Sequence, residues 1–190
     1  MPTCRPYAPR ARRRSGRCLR LNMMSRIRVA ILALVPLIFA LDWGTKRLIE
    51  ARVSFWDTYA VIPGFFSIVH AQNRGAAFSL LHDASEQVRG VVLIGFSGVI
   101  TLVVAVMLGL SFRPSDRQSN CVRTALALVL SGALGNMWDR VLRGYVTDFL
   151  LVYAGEYSWP VFNVADSAIC IGAGLLLLDI WRERGEKHAA

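Results

Sequence analysis

Charged residues are scarce in this sequence, and acidic residues are absent from the part that precedes Asp42. Only 18% of the 190 residues are charged, whereas 54% are hydrophobic. A chain with so little charge and so many apolar side chains is not typical of an ordinary soluble domain. The composition therefore predicts a membrane protein.

The net charge of +9 is concentrated ahead of the first apolar run. Because no folded module surrounds these basic residues, they do not indicate a nucleic-acid partner. A basic flank before a long apolar segment is instead typical of a cytoplasmic anchor. Residues 1–26 are predicted to form a basic, disordered cytoplasmic leader. The arginines that precede the apolar run are Arg5, Arg10, Arg12, Arg13, Arg14, Arg17, Arg20, Arg26 and Arg28.

The four cysteines show no CxxC spacing, and this lack argues against a metal site. Cys4 and Cys18 lie in the basic leader, Cys121 begins an apolar run, and Cys170 lies inside another. Buried cysteine commonly acts as a small apolar residue. We therefore predict no disulfide framework, no bound metal and no cofactor.

Four apolar segments are long enough to cross a bilayer as helices, which takes about 20 residues each. They are predicted at residues 27–49, 88–110, 121–138 and 161–181. The predicted fold class is an all-α membrane protein of four transmembrane helices, with one membrane domain over residues 27–181. Residues 182–190 form a predicted cytoplasmic tail.

An even number of spans places both termini on the same side of the membrane. Basic residues lie between spans two and three and again after span four, and the positive-inside rule assigns this side to the cytoplasm. These residues are Arg113, Arg117, Arg123, Arg182, Arg184 and Lys187.

Two segments remain on the outer side, at residues 51–87 and 139–160. The run VIPGFFSIV at residues 61–69 has a Pro-Gly turn among β-branched and aromatic residues, which predicts short strands. Gly144, Gly155 and Pro160 interrupt any long helix in the second segment. Neither segment is long enough for a separate domain, so together they are predicted to form a small β-containing cap on the helix ends.

Carboxylates within or beside membrane spans carry the functional signal, because each costs about 2.5–3.5 kcal/mol to insert. Three of the five such aspartates have a basic residue within four positions, which favours a structural role. These three pairs are Asp42 with Lys46, Asp139 with Arg140, and Asp179 with Arg182. The Asp42–Lys46 spacing suits an ion pair on one helical face.

Asp148 and Asp166 have no basic residue within four positions and are predicted at the same depth near the outer surface. Two adjacent carboxyls share one proton, so that one activates water while the other polarises a carbonyl. Such a dyad hydrolyses an amide without a metal. The spacing leaves a second interpretation open, in which Asp166 bonds to a neighbouring helix and Asp148 caps a turn.

Short segments of the chain resemble, in order, the signature of the lipoprotein signal peptidase (signal peptidase II) family. DWGTK at 42–46 is similar to DxxTK, and NRGAAF at 73–78 to NxGxAF. GNMWDR at 135–140 and GYVTDF at 144–149 resemble GNxxDR and GxVxDF, and FNVADS at 162–167 resembles FNxAD. Each segment alone is weak, but the ordered set over residues 27–181 is highly specific.

The resemblance implies that Asp148 and Asp166 are the catalytic pair of an aspartic endopeptidase in the bacterial inner membrane. It implies a diacylglyceryl-modified prolipoprotein substrate, cut just before the lipidated cysteine near the periplasmic surface, with membrane lipids as further partners. A monomer is the default state. Substrate binding or site support is then assigned to Asn73, Gly75, Asn136, Arg140, Asn163, Asp42, Lys46 and Asp139, of which Asp139 would orient Arg140.

Two other classes of protein also explain four polar-containing spans. A small membrane transporter would place its polar residues near the midplane of the bilayer, in broken or repeated helices. A membrane assembly factor would explain the helices but not two unpaired aspartates among asparagines. The sequence contains neither the GxGD motif of presenilin-like peptidases nor the DDxxD motif of prenyl-diphosphate enzymes.

Overall fold

Four helices and one small antiparallel sheet make up the protein in a computed structural model that describes residues 12–75, 86–113 and 118–189. The predicted fold class is confirmed. In chain order the elements are α1 (Arg12–Arg52), β1 (Thr58–Ile62), β2 (Phe66–Asn73), α2 (Glu86–Ser111), α3 (Asn120–Arg143), β3 (Val146–Ala154), β4 (Tyr157–Ser158) and α4 (Val164–Ala189).

All four helices have the length and composition of membrane spans. The shortest apolar segments, in α2 and α4, contain 22 residues each. At about 1.5 Å per residue they reach about 33 Å, which matches a hydrocarbon core of about 30 Å. Their outward faces carry large apolar side chains such as Leu37, Val99, Leu102 and Leu177, each more than half exposed. These faces suit contact with lipid rather than water.

Helix α3 lies at the centre of the bundle and packs against α1, α2 and α4. Its mean hydropathy of 1.2 is the lowest of the four spans, whereas α2 reaches 2.8. A helix surrounded by other helices can carry polar side chains, because they need not face lipid. Towards the start of α3, the apolar core consists of Ile31, Leu108, Leu126, Ala127 and Leu130.

The boundaries of two predicted segments differ from the structure. Helix α1 begins at Arg12, so residues 12–26 are helical rather than disordered, and residues 1–11 of the predicted leader lie outside the described residues. Arginine and leucine favour helix, and an existing helix adds residues more easily than it nucleates. Helix α3 continues to Arg143, so Asp139 is helical and does not belong to the outer segment.

The sheet has the strand order β1-β2-β3-β4, and every neighbouring pair is antiparallel. The predicted strands in the first outer segment are therefore present as β1 and β2. Strand β3, however, was not predicted: Asp148 lies in this strand and not in an irregular loop. Gly144 ends α3 with φ 76 and donates its N–H to the Arg140 carbonyl, which turns the chain directly into β3.

Close contact between α3 and α4 depends on a glycine. A Cβ at Gly132 would collide with the Ala165 carbonyl oxygen and approach Ile169 Cγ1 to 2.7 Å, whereas a Cβ at Gly98 in α2 would meet nothing within 4 Å. We expect Gly132→Ala to lower the free energy of unfolding in mixed micelles by about 1–3 kcal/mol. Gly98→Ala, the matched control, should leave it unchanged or raise it slightly. Equal effects would contradict this account of the packing.

Candidate active site

A cluster of buried polar side chains lies where the C-terminal part of α3 meets the sheet and the start of α4. Five elements contribute to it: α1, the end of β2, α3, β3 and the first turn of α4. All of the site residues predicted from the sequence lie in this cluster. They are Asp42, Lys46, Asn73, Gly75, Asn136, Asp139, Arg140, Asp148, Asn163 and Asp166.

Asn163 connects the two aspartates of the predicted dyad. Its Nδ2 donates to Asp148 Oδ1 at 2.7 Å, and its backbone N–H donates to Asp166 Oδ2 at 3.2 Å. Its own Oδ1 accepts from the Asp166 backbone N–H at 2.9 Å, which caps the first turn of α4. Asn163 is fully buried, and this one residue holds both carboxyls, that of Asp148 through its side chain and that of Asp166 through its backbone N–H.

Two further asparagines each fix one carboxyl from its other side. Asn73 Nδ2 donates to Asp148 Oδ2 at 3.0 Å, and Asn73 Oδ1 accepts from the Gly75 backbone N–H at 2.9 Å. Asn136 Nδ2 donates to Asp166 Oδ1 at 2.7 Å. Each carboxylate therefore receives at least one amide donor on each oxygen, which fixes the direction of its remaining lone pairs.

Lys46 is the buried cation of the cluster, with a side chain only 1% exposed. Its Nζ lies 2.7 Å from Asp42 Oδ2, 2.8 Å from Asp139 Oδ2 and 3.2 Å from Asn136 Oδ1. The predicted Asp42–Lys46 pair is thus present. Because Lys46 donates to the oxygen of the Asn136 amide, the amide nitrogen must face Asp166.

Asp42 also ties α1 to the start of α4. Its Oδ1 accepts from the Ala165 backbone N–H at 2.8 Å, so a carboxylate faces the positive end of the α4 dipole. Gly135 makes this position accessible, since a Cβ there would lie 2.6 Å from Asp42 Oδ2. The residue next to Ala165 is Asp166, so this contact sets the position of one dyad member.

Three neighbours of the cluster were not identified from the sequence. The Glu50 carboxylate pairs with Arg143 and accepts from Thr147 Oγ1 at 2.7 Å. These contacts join α1 to the end of α3 and to β3, beside Asp148. Glu50 lies one helical turn beyond Lys46, and this spacing is the sequence feature that could have predicted its position beside the cluster. Its partners Arg143 and Thr147 are 93 and 97 positions away, and the local pair that Glu50 forms with Arg47 does not reveal them.

Arg140 forms no ion pair with Asp139, which was predicted to orient it. Asp139 contacts Lys46 and lies 3.7 Å from Arg143 Nη1, whereas Arg140 Nη1 donates to the Asn136 carbonyl oxygen at 3.4 Å. Consecutive helical residues point in directions about 100° apart, which explains why Asp139 does not face Arg140. The Arg140 guanidinium lies within electrostatic reach of Asp166 and Asp148, and its Nε is buried without a hydrogen-bond partner.

Burial raises the pKa of Asp148 from its ordinary value of 3.8 to about 6, and the nearby Asp166 charge contributes in the same direction. Donors from Asn73 and Asn163 act in the opposite direction but do not cancel these effects. A carboxyl with such a pKa can hold or release a proton close to neutral pH. The pair can therefore perform acid–base chemistry.

Among the described residues, no three His, Cys, Asp or Glu side chains are grouped closely enough to hold a metal ion. The side chains that surround the two aspartates are mainly amides and one guanidinium, which are hydrogen-bond donors suited to carbonyl oxygens.

Comparison with known protein families gives one match that covers most of the chain. A family model described as signal peptidase (SPase) II matches residues 34–182. A protein named lipoprotein signal peptidase from Solibacter usitatus is 47% identical over 85% of this chain and 96% of its own length. Another of the same name, from Geobacter sulfurreducens, is 44% identical over 77% of this chain and 88% of its own.

Two solved structures share the fold. One, a bacterial membrane enzyme determined by the in meso method at 2.3 Å, has a TM-score of 0.69 and 29% identity. The matched region spans 83% of this chain and 91% of that enzyme. The other, also a bacterial membrane enzyme determined by the in meso method, at 1.9 Å, has a TM-score of 0.66 and 30% identity, and the matched region spans 80% of this chain and 92% of that enzyme.

Removal of the buried cation should destabilise the protein strongly. Lys46→Met leaves Asp42 and Asp139 without their shared partner, and breaking a buried pair costs about 3–5 kcal/mol. The adjacent Arg47 is half exposed and contacts Glu50 at 3.3 Å, so Arg47→Met should cost less than about 1 kcal/mol. Unfolding in mixed micelles measures both. A Lys46→Met effect as small as the Arg47→Met effect would exclude Lys46 as a structural centre.

The raised pKa of Asp148 makes its contribution to stability depend on pH. A protonated Asp148 favours the folded state, so the contribution is complete below pH 3.8 and is lost as the pH rises through about 6. The stability of the wild type relative to Asp148→Asn should fall by about 2–3 kcal/mol between pH 4 and 8. Glu156→Gln, on the exposed β3–β4 turn, should give a smaller change. A pH-independent difference for Asp148→Asn would refute the assignment.

Proposed function

The chain belongs to the signal peptidase II family, and on that premise we propose that it removes signal peptides from lipid-modified prolipoproteins with Asp148 and Asp166 as the catalytic pair. The observation that carries this proposal is the hydrogen-bonded arrangement in which Asn163 bonds to both carboxyls. The family relationship supports an aspartic-type peptidase in a multi-pass membrane protein.

In the proposed reaction the two carboxyls have different roles. Asp166 receives donors from Asn136 and the Asn163 backbone at the start of α4, all of which stabilise a negative charge. It acts as the base that takes a proton from water. Asp148, whose pKa is raised to about 6, holds the other proton and donates it to the carbonyl oxygen of the scissile amide.

Water then adds to the carbonyl carbon, and the tetrahedral intermediate collapses as the C–N bond breaks. The proton that Asp166 accepted passes to the leaving amine, and Asp148 regains a proton from the product carboxyl group. The pair ends in its starting state, with one proton shared. In this proposal Arg140 binds a substrate carbonyl through its guanidinium, whose charge lies close to both carboxyls.

The depth of the site fits a lipid-anchored substrate. Exposed aromatic side chains surround the sheet, including Trp56 at 94% and Tyr157 at 87% exposure, and such residues prefer the membrane–water interface. A diacylglyceryl group anchors the cysteine at this same depth, so the bond just before the lipidated cysteine reaches the carboxyls without a soluble domain. Phe65, half exposed beside the β1–β2 turn, lies where it can contact lipid or peptide.

The proposed topology follows from the basic flanks. Arginines at the start of α1 and the end of α4 place both termini in the cytoplasm under the positive-inside rule. The carboxyls, near the opposite ends of those helices, then face the periplasm of a bacterial cell membrane. Water reaches them from that side.

The direct test is cleavage of a diacylglyceryl-modified prolipoprotein peptide by purified protein in detergent. Asp148→Asn and Asp166→Asn keep the shape of each side chain but remove its titratable group, so each should lower kcat/KM by at least about 10⁴-fold. Asp179→Asn is the matched control, because Asp179 lies on α4 but bonds to Ser119 at the far end of the bundle. It should keep near wild-type activity.

A second comparison separates the substrate from the chemistry. The same peptide without its diacylglyceryl group should be cut much more slowly by the wild type, since nothing holds the bond at the depth of the pair. Substantial activity in either dyad variant would overturn the catalytic assignment. Equal cleavage of both peptides would overturn the substrate assignment and leave the dyad intact.

A further inference from the structure

A cavity lined by both polar and apolar side chains lies at the opposite end of the bundle from the two carboxyls. It has a volume of about 290 Å³ and opens between the start of the membrane segment of α1 and the start of α3. Asn136 lies 13 residues beyond Arg123 along α3, which separates the two sites by about 20 Å. The residues that line the cavity are Met24, Ile27, Arg28, Gln118, Ser119, Asn120 and Arg123.

Arg123 is held rigidly in the wall of this cavity. It is only 8% exposed. Its Nε donates to the Ser111 carbonyl oxygen at 2.9 Å, and its Nη1 donates to Asn120 Oδ1 at 3.1 Å. The guanidinium also stacks near the Phe112 ring, with 5.6 Å between its central carbon and the ring centroid. These contacts use two nitrogens and orient the group, but they do not neutralise its charge.

No described carboxylate forms an ion pair with Arg123 or with Arg28, the second arginine of the cavity. Asp179 accepts a hydrogen bond from Ser119 at 2.8 Å but is not among the lining residues. The N-terminus of α3, capped by Ser119, adds the positive end of a helix dipole. Among the described residues, two arginines without an ion pair and this helix end therefore give the cavity a positive potential, which the single carboxylate of Asp179 offsets only in part.

We propose that this cavity binds the phosphate headgroup of an anionic phospholipid. The lipid would come from the membrane leaflet that surrounds this end of the bundle. Guanidinium groups bind phosphate oxygens in a fixed geometry. Basic pockets between transmembrane helices are a recurring form of lipid headgroup site. Nothing in the catalytic proposal uses these residues.

The apolar part of the lining favours a lipid over a free anion. Met24 and Ile27 line the cavity together with Arg28; Met24 is half exposed, whereas Ile27 packs against the apolar core. A phospholipid can place its phosphate on the arginines and its glycerol and first acyl carbons against these two side chains. A free phosphate gains nothing from them.

The test uses the full chain in phosphatidylcholine vesicles that contain a trace of spin-labelled phosphatidylglycerol or spin-labelled phosphatidylcholine. Electron paramagnetic resonance measures how strongly each labelled lipid associates with the protein. We expect the wild type to prefer phosphatidylglycerol, and Arg28→Gln to lower that preference about tenfold, the effect of losing a charge-assisted hydrogen bond to phosphate in addition to one surface charge. Arg26→Gln is the matched control, because Arg26 is exposed and does not line the cavity.

Arg123→Gln should lower the preference as well, with its fold checked by circular dichroism because Arg123 also supports the end of α2. If Arg123→Gln unfolds, Arg28→Gln alone decides the question. An equal loss in Arg26→Gln would show diffuse surface attraction and overturn the site. So would a wild type without lipid preference. If a wild type without lipid preference is nevertheless stabilised against heat by inorganic phosphate in neutral detergent, and Arg28→Gln is not, the cavity is a site for free phosphate and the lipid assignment fails.

Discussion

The structure depends on one buried ammonium group that is shared by two carboxylates. Lys46 lies between Asp42 and Asp139 with less than 3 Å to each, inside a helical bundle whose surroundings are apolar. An isolated charge there is costly, so these three groups must remain together. Since Asp42 also holds the first turn of α4, this cluster fixes α1, α3 and α4 relative to one another.

The same cluster determines which way the site amides point. An asparagine side chain can rotate to exchange its donor and its acceptor ends, and either end fits the same space. Lys46 removes this freedom from Asn136, and the Gly75 backbone N–H removes it from Asn73. Both amides therefore present nitrogen to a carboxylate. Lys46 does not contact the Asp166 carboxyl group. The structural ion pair nevertheless acts on Asp166, because Lys46 orients the Asn136 amide that donates to that carboxyl group.

Most of the helices and much of the site can be predicted from local patterns. Apolar runs of about 20 residues identify membrane helices, and the four-residue spacing of Asp42 and Lys46 predicts their pair. The strand β3 is harder to predict, because its buried residues Val146–Phe149 form a short continuous run that also fits a helix or loop. The contacts of Glu50 depend on the three-dimensional arrangement alone. The shared asparagine of the two aspartates is equally invisible, since the sequence does not show that Asn163 faces Asp148.

The central position of α3 explains how so small a bundle can hold polar groups at both ends of one helix. Each end of a helix leaves backbone groups without partners, and these groups must be satisfied in or near lipid. At its start, Ser119 caps the helix and Arg123 supplies the end of α2 with a donor. At its end, Gly144 closes the last turn and leads into β3. The requirement to complete a helix end at the membrane surface therefore brings hydrogen-bonding groups to the depth at which a lipid headgroup or a lipid-anchored peptide arrives.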